Sequence, residues 1–134
     1  MCMIKKRFKQ YAVLCKEIKQ LDHEINRLEY VLRKMDIALM LVHPISGEEV
    51  NRVQDKLLNL GEEYIIKMEH IYKERLELEK CISKLDEGME RIIMRYRYID
   101  LFKWEIIMKK VGYEKSQVYR IHNRALDKLE KLCA

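Results

Sequence analysis

The 134-residue sequence contains one proline, Pro44, and only four glycines. Both residue types interrupt helices, so their scarcity favours long helices over a sheet or a loop-rich fold. Hydrophobic residues make up 49% of the chain and charged residues 37%, a balance too apolar for a disordered segment. We therefore expect an all-α fold.

The residue groupings that hold metals or perform catalysis are also missing. The cysteines are Cys2, Cys15, Cys81 and Cys133, and the histidines are His23, His43, His70 and His122. No two cysteines have the spacing of a metal knuckle or a redox pair, and no cysteine or carboxylate joins a histidine at ligand spacing. A glycine-rich phosphate loop is lacking too. The sequence predicts a protein that is not an enzyme and that uses no cofactor.

Long apolar runs are missing as well. The longest, Ile37–Val42, is far too short to cross a bilayer, so no membrane association is expected. The first residues are not followed by the apolar segment of a signal peptide. We expect a protein of the bacterial cytoplasm.

Apolar residues form one long stripe in the first third of the chain. Its members are Ile4, Phe8, Tyr11, Leu14, Ile18, Leu21, Ile25, Leu28, Leu32, Met35, Leu39 and Val42. The spacing alternates between four and three residues, with one early slip at Tyr11–Leu14, which is the seam of a coiled-coil-like helix. Pro44 ends this helix, and Ser46 with Glu49 forms a capping box that starts the next one, with Ile45 and Val50 as its hydrophobic staple.

A second stripe follows the short connection. It comprises Val50, Val53, Leu57, Leu60, Tyr64, Met68, Ile71, Leu78, Ile82 and Leu85. Two long helices joined by so few residues predict a long antiparallel hairpin over residues 1–85. The hairpin tip, Ile37–Val42, is apolar on every face, which predicts a homodimer through the hairpin. The alternative is that the tip packs onto its own second helix.

The remaining segment, 86–134, carries eleven Lys/Arg against eight Asp/Glu, a net charge of +3 that suits a polyanion such as DNA. Asp86 is placed to cap a helix over Met89–Tyr98. Helices are further expected at about 103–110 and 115–132. Between these two, Gly112 favours a left-handed turn. With Ile107, Met108 and Val111 facing inward, and Val118 and Ile121 packing across them, this spacing predicts a helix-turn-helix domain.

Residues 89–132 resemble region 4 of sigma-70-type factors. The similar stretches are Arg95-Tyr96-Arg97-Tyr98, the helix from Trp104 to Gly112, and Val118 to Leu129. A nearer resemblance is to small phage regulators of Gram-positive bacteria, including the RinA and ArpU late-transcription activators. The resemblance implies binding to double-stranded DNA, transcriptional control and contact with RNA polymerase. Two positions depart from the family pattern: Glu114 replaces the usual Ser or Thr cap, and Met108 replaces a small residue.

The helix-turn-helix interpretation assigns roles to eight residues. Contacts to bases are expected from Lys115, Ser116, Gln117 and Arg120, and contacts to phosphates from Lys103, Tyr119, Asn123 and Arg124. Gln pairs with adenine and Arg with guanine through two hydrogen bonds each. Phosphate contacts set the register of the protein on the duplex. His122, on the same helix, is expected to be exposed, and Trp104 and Tyr113 are expected in the core.

Three functions fit this pattern. The first is a sequence-specific regulator of phage or prophage transcription, with a recognition helix at about 115–129. The second is a small terminase subunit that recognises a packaging site and forms larger rings. The third is a sigma-like adapter that binds RNA polymerase instead of DNA.

Overall fold

The computed structural model describes residues 3–40 and 47–133, and these residues contain helices and no strand. The helices are α1 (Met3–Met40), α2 (Gly47–Ser83), α3 (Gly88–Met94), α4 (Trp104–Val111) and α5 (Lys115–Leu132). A π-helical turn, Arg95–Ile99, follows α3 directly. The all-α expectation is confirmed. The predicted connection at Pro44 and the cap at Ser46 lie outside the described residues, as does the end of the apolar tip.

The chain divides into two compact units. One unit comprises Leu14–His70, and the other comprises Met1–Val13 together with Ile71–Ala134. The physical reason for this division is that the first turns of α1 and the last turns of α2 contribute side chains to the same core as α3, α4 and α5.

The 14–70 unit is formed by the middle of α1 and most of α2. Lys67 Nζ lies 3.0 Å from a Glu17 carboxylate oxygen, and Lys56 Nζ lies 3.8 Å from Glu24. The predicted seam residues are mostly half-buried here, among them Leu14, Ile18, Leu21, Leu57, Leu60 and Tyr64. Half-burial is what two helices achieve alone, because each helix covers only one face of the other.

The other unit has a fully buried core. Helix α1 contributes Ile4, Phe8 and Tyr11; the end of α2 and the following turn contribute Ile71, Leu78, Ile82 and Leu85; the later elements contribute Ile93, Met94, Ile99, Ile107, Val118, Ala125, Leu126 and Leu129. The Phe8 ring stacks on the Tyr98 ring with centroids 4.1 Å apart. The N-terminal turns of α1 are therefore an integral part of this core.

Candidate nucleic-acid interface

Helix α4, the turn after it and helix α5 lie where the sequence placed the helix-turn-helix. Gly112 adopts φ 74° and ψ 24°, and its N–H donates to the Met108 carbonyl at 2.9 Å. This left-handed closure costs a residue with a Cβ about 1–2 kcal/mol, which explains glycine here. Only Tyr113 and Glu114 then separate Gly112 from the first residue of α5.

The two helices share a small core. Ile93, Ile107 and Val118 are buried at its centre. Around them pack the half-buried side chains of Met89, Tyr96, Phe102, Trp104, Met108, Val111, Tyr113 and Ile121. The inward positions predicted for α4 and α5 are thus confirmed, as are core positions for Trp104 and Tyr113. The outward face of α5 is fixed by this packing, because the helical repeat sends the intervening residues the other way.

The four residues predicted to contact bases are exposed, and Ser116, Gln117 and Arg120 lie on that outward face. Lys115, in the first turn, lies in helical register with the buried Val118 and His122. All four lie within the first two turns of α5. Lys115 Nζ lies 5.7 Å from the centre of the Tyr119 ring, which steers the lysine stem along the helix. Glu114 occupies the N-cap position with an extended backbone and makes no side-chain capping bond. Its departure from the usual cap leaves first-turn N–H groups of α5 without that acceptor.

The four residues predicted to contact phosphates have more varied surroundings. Lys103 is exposed at the N-cap of α4. Tyr119 is half-buried, with its ring 4.9 Å from that of Trp104. Asn123 is exposed and its Oδ1 lies 3.1 Å from His122 Nδ1. Arg124 is engaged within the protein, since its guanidinium lies 3.1 Å from Glu87 and 3.6 Å from Glu90. A phosphate contact by Arg124 would compete with these carboxylates.

Arg97, which the sequence did not single out for a role, braces the entrance to α4. Its guanidinium donates to the Phe102 carbonyl at 3.0 Å and lies 4.6 Å from the Trp104 ring centre. In the connection between the π-helical turn and α4, Leu101 has φ 59°, a left-handed conformation unusual for leucine. The arginine and the Trp104 ring therefore hold the strained turn that positions α4.

The clearest correction concerns His122, which was expected to be exposed and is buried. Its Nε2 hydrogen-bonds the Tyr98 hydroxyl, and its Nδ1 faces Asn123 Oδ1. Because an amide oxygen accepts only, Nδ1 carries the proton and Nε2 accepts from Tyr98. The sequence held the signal: Val118, His122, Ala125 and Leu129 follow one another at helical spacing on a single face.

The neutral state of His122 predicts a pH dependence of stability. Burial lowers the pKa of His122, and nearby Arg97 and Lys5 lower it further, whereas the hydrogen bond that His122 donates to Asn123 opposes them. Since the unfolded chain then takes up the proton first, the free energy of unfolding should fall as pH drops below about 6.5 towards the folded pKa. Urea unfolding at a series of pH values measures this decline, and His122→Gln should reduce it. An unchanged slope in that variant would contradict the assignment.

A charged cluster joins α3 to α5 and was not anticipated. Glu90 is completely buried, with Lys128 Nζ at 2.6 Å from one carboxylate oxygen and Arg124 beside the other. Lys128 also bonds Asp86 at 3.0 Å, which lowers the pKa of that carboxyl. Glu87, not Asp86, occupies the N-cap of α3, so the predicted capping role of Asp86 is wrong. A buried carboxylate needs such partners, because an unpaired charge is costly to desolvate.

Two cysteines far apart in the sequence meet in the fold. The pKa of Cys133 is raised to about 11, chiefly by burial and next by a hydrogen bond with Cys81. A raised pKa keeps the thiol protonated and weakly reactive at neutral pH. Within the part of the chain that the structure describes, no group of three His, Cys, Asp or Glu side chains is arranged to hold a metal ion. No helix there is long and apolar enough to cross a membrane.

Comparison with protein-family models places this chain in a family. The model of a family described as "protein of unknown function (DUF1492)" matches residues 42–130, which is more than half of the chain. No curated protein and no solved structure matches this chain. The matched region includes α2 from its first described residue, the braced turn at Arg97, and α4 with nearly all of α5. On the extent of this match, the chain belongs to the DUF1492 family of proteins of unknown function.

Proposed function

We propose that this protein is a sequence-specific, non-enzymatic DNA-binding regulator of phage or prophage transcription. The proposal depends on the contrast between the two faces of α5, one buried and one exposed and polar. Its inner face, with Val118, His122 and Ala125, is buried. Its outer face presents Ser116, Gln117 and Arg120 near the helix N-terminus, and Lys115 is exposed in the first turn. A helix held by one face and polar on the other is suited to enter the major groove.

The helix-turn-helix assignment is part of this proposal. Supporting it are the left-handed Gly112, the short α4–α5 connection and the shared core of Ile107 and Val118. The basic side chains of the unit match the charge of a duplex, and Lys103 adds a positive charge at the start of α4. On this reading α5 reads bases, and Lys103, Tyr119 and Asn123 contact phosphates. Arg124 reaches a phosphate only by leaving Glu87 and Glu90.

The long helices are proposed to form an antiparallel hairpin that dimerises. Within the 14–70 unit, Glu17 pairs with Lys67 and Glu24 pairs with Lys56. Moving forward along α1 therefore moves backward along α2, which is the order an antiparallel pair requires. A dimer doubles the DNA contacts and matches a site of two-fold symmetry. The protein would act in the cytoplasm of the bacterial host.

Selection of bound fragments from sheared phage and host DNA tests the proposed function. The full-length protein is incubated with fragments at physiological salt and excess competitor, because phosphate contacts alone give binding that fades steeply with salt. We expect enrichment of one site just upstream of a gene block. Enrichment at a packaging start would favour a small terminase subunit instead. No enrichment, together with capture of purified RNA polymerase, would favour the sigma-like adapter.

A further inference from the structure

Helix α2 carries a second apolar stripe beside the one that includes Leu57 and Leu60, and Met68 belongs to both. The second stripe consists of Leu58, Gly61, Ile65, Met68, Tyr72 and Leu76, spaced by three or four residues. Its large members are exposed, with Leu58 at 67%, Ile65 at 60% and Tyr72 at 62%. All belong to the single uninterrupted helix Gly47–Ser83. A continuous exposed stripe of this kind marks an interaction surface, because isolated surface hydrophobes do not follow a helical repeat.

The order of large and small side chains along the stripe is similar whether it is read from the N-terminal or the C-terminal end. Turned end over end about residue 67, Leu58 falls opposite Leu76, while Gly61 and Ile65 fall within one residue of Tyr72 and Met68. Large residues then meet large ones, and the largest exposed side chain meets the residue that lacks a side chain. A two-fold interface requires this property, since residue i contacts residue j of the partner and j contacts i.

The surface at Gly61 has room for such a side chain. A shallow, mainly apolar hollow is lined there by Leu57, Leu58, Gly61, Ile65 and the edges of Gln54 and Glu62. A Cβ built on Gly61 meets nothing within 4 Å, so the glycine is not required by packing within the chain. Glycine inside a helix costs about 0.5–1 kcal/mol relative to alanine. The absence of a side chain at Gly61 leaves space in which an aromatic ring from a second copy can pack.

Charges beside the stripe show the same reversal. Asp55 and Glu62 flank its first half, whereas Lys73 and Lys80 flank its second half. Glu69 lies close to the midpoint of the stripe. In an antiparallel pair of α2 helices, Glu62 of one copy faces Lys73 of the other, and Asp55 faces Lys80. A parallel pair would instead bring the acidic halves together, which is destabilising.

From these observations we propose that a second copy of this chain docks on the α2 stripe, with α2 antiparallel to α2 about a two-fold axis near residue 67. Tyr72 of each copy fills the hollow over Gly61 of the other. The stripe extends over about 27 Å at a rise of about 1.5 Å per residue. The inference deepens the dimer part of the proposed function and does not depend on DNA binding.

Charge exchange tests the pairing. Glu62 and Lys73 are separated by about 16 Å along one helix, too far to pair within a chain. Glu62→Lys and Lys73→Glu should each raise the dimer dissociation constant roughly tenfold, and the double exchange should restore it. Glu63→Lys is the matched control, because Glu63 is exposed and lies well outside the stripe. Sedimentation equilibrium of the full chain without DNA measures each constant.

A second variant separates docking from folding. Gly61→Gln should raise the helix stability, because glutamine is a better helix former, while weakening the dimer by obstructing the hollow. A wild-type mass equal to the 16.4 kDa chain at high micromolar concentration would overturn both the dimer and this interface. A dimer that is indifferent to the Glu62 and Lys73 exchanges would overturn the interface alone. Restoration by the double exchange is the result we expect.

Discussion

Replacing Arg120 by alanine is expected to weaken binding to the selected DNA site roughly ten- to a hundredfold. The arginine is exposed on the outer face of α5, in its second turn. On the proposed function, its fork of donors reaches a guanine edge in the major groove. Loss of one good bidentate pair costs about 1–3 kcal/mol of discrimination, and about 1.4 kcal/mol is a tenfold change. Fluorescence anisotropy with the selected site and with a scrambled duplex measures the affinity and the specificity separately.

The control for this variant is Lys131→Ala. Lys131 is exposed in the last turn of the same helix and lies outside the proposed recognition segment. Its replacement removes the same charge about 16 Å along the helix from Arg120. Both variants should keep the helical content, because neither side chain is buried. If Arg120→Ala reduces affinity for specific and scrambled duplexes equally, Arg120 contacts phosphate and not a base. If affinity does not change, the assigned face of α5 is wrong.

Replacing Phe8 by alanine is expected to lower the free energy of unfolding by about 3–5 kcal/mol, the range for removing a buried phenylalanine. Phe8 is only 2% exposed, and its ring stacks on Tyr98. Tyr98 in turn hydrogen-bonds the buried His122 of α5. The first turns of α1 thus support the base of the proposed recognition helix, and urea unfolding followed by circular dichroism measures the loss.

Val13→Ala provides the comparison for Phe8→Ala. Val13 is 52% exposed on the same helix, so its truncation should change the free energy of unfolding by no more than about 0.5 kcal/mol. Equal effects of the two substitutions would mean that α1 does not share a core with α3, α4 and α5. The fluorescence of Trp104 offers a second readout, because its ring packs against the edge of His122 at 4.9 Å. It should change with Phe8→Ala and not with Val13→Ala.

The helical repeat explains why the local features were predictable. The bounds of α5, the turn at Gly112 and the inward positions Ile107 and Val118 all follow from residues within four positions of one another. His122 was within reach of the same reasoning, since it lies on the buried stripe of α5. Its burial departs from the general rule that an isolated polar side chain is exposed, because its partner Tyr98 is 24 residues away.

What the sequence by itself determined is the helical class, the turn and the two faces of α5, because helix propensity, capping and amphipathic spacing act between near neighbours. Only the tertiary structure decided which elements share a core. Nothing local in Phe8 indicates that its ring stacks on Tyr98, and nothing local in Glu90 indicates burial against Lys128, 38 residues away. An apolar stripe on a helix specifies that this face must be buried. The element that buries it is selected by the fit of shape and charge between residues far apart in the sequence, which no local pattern encodes.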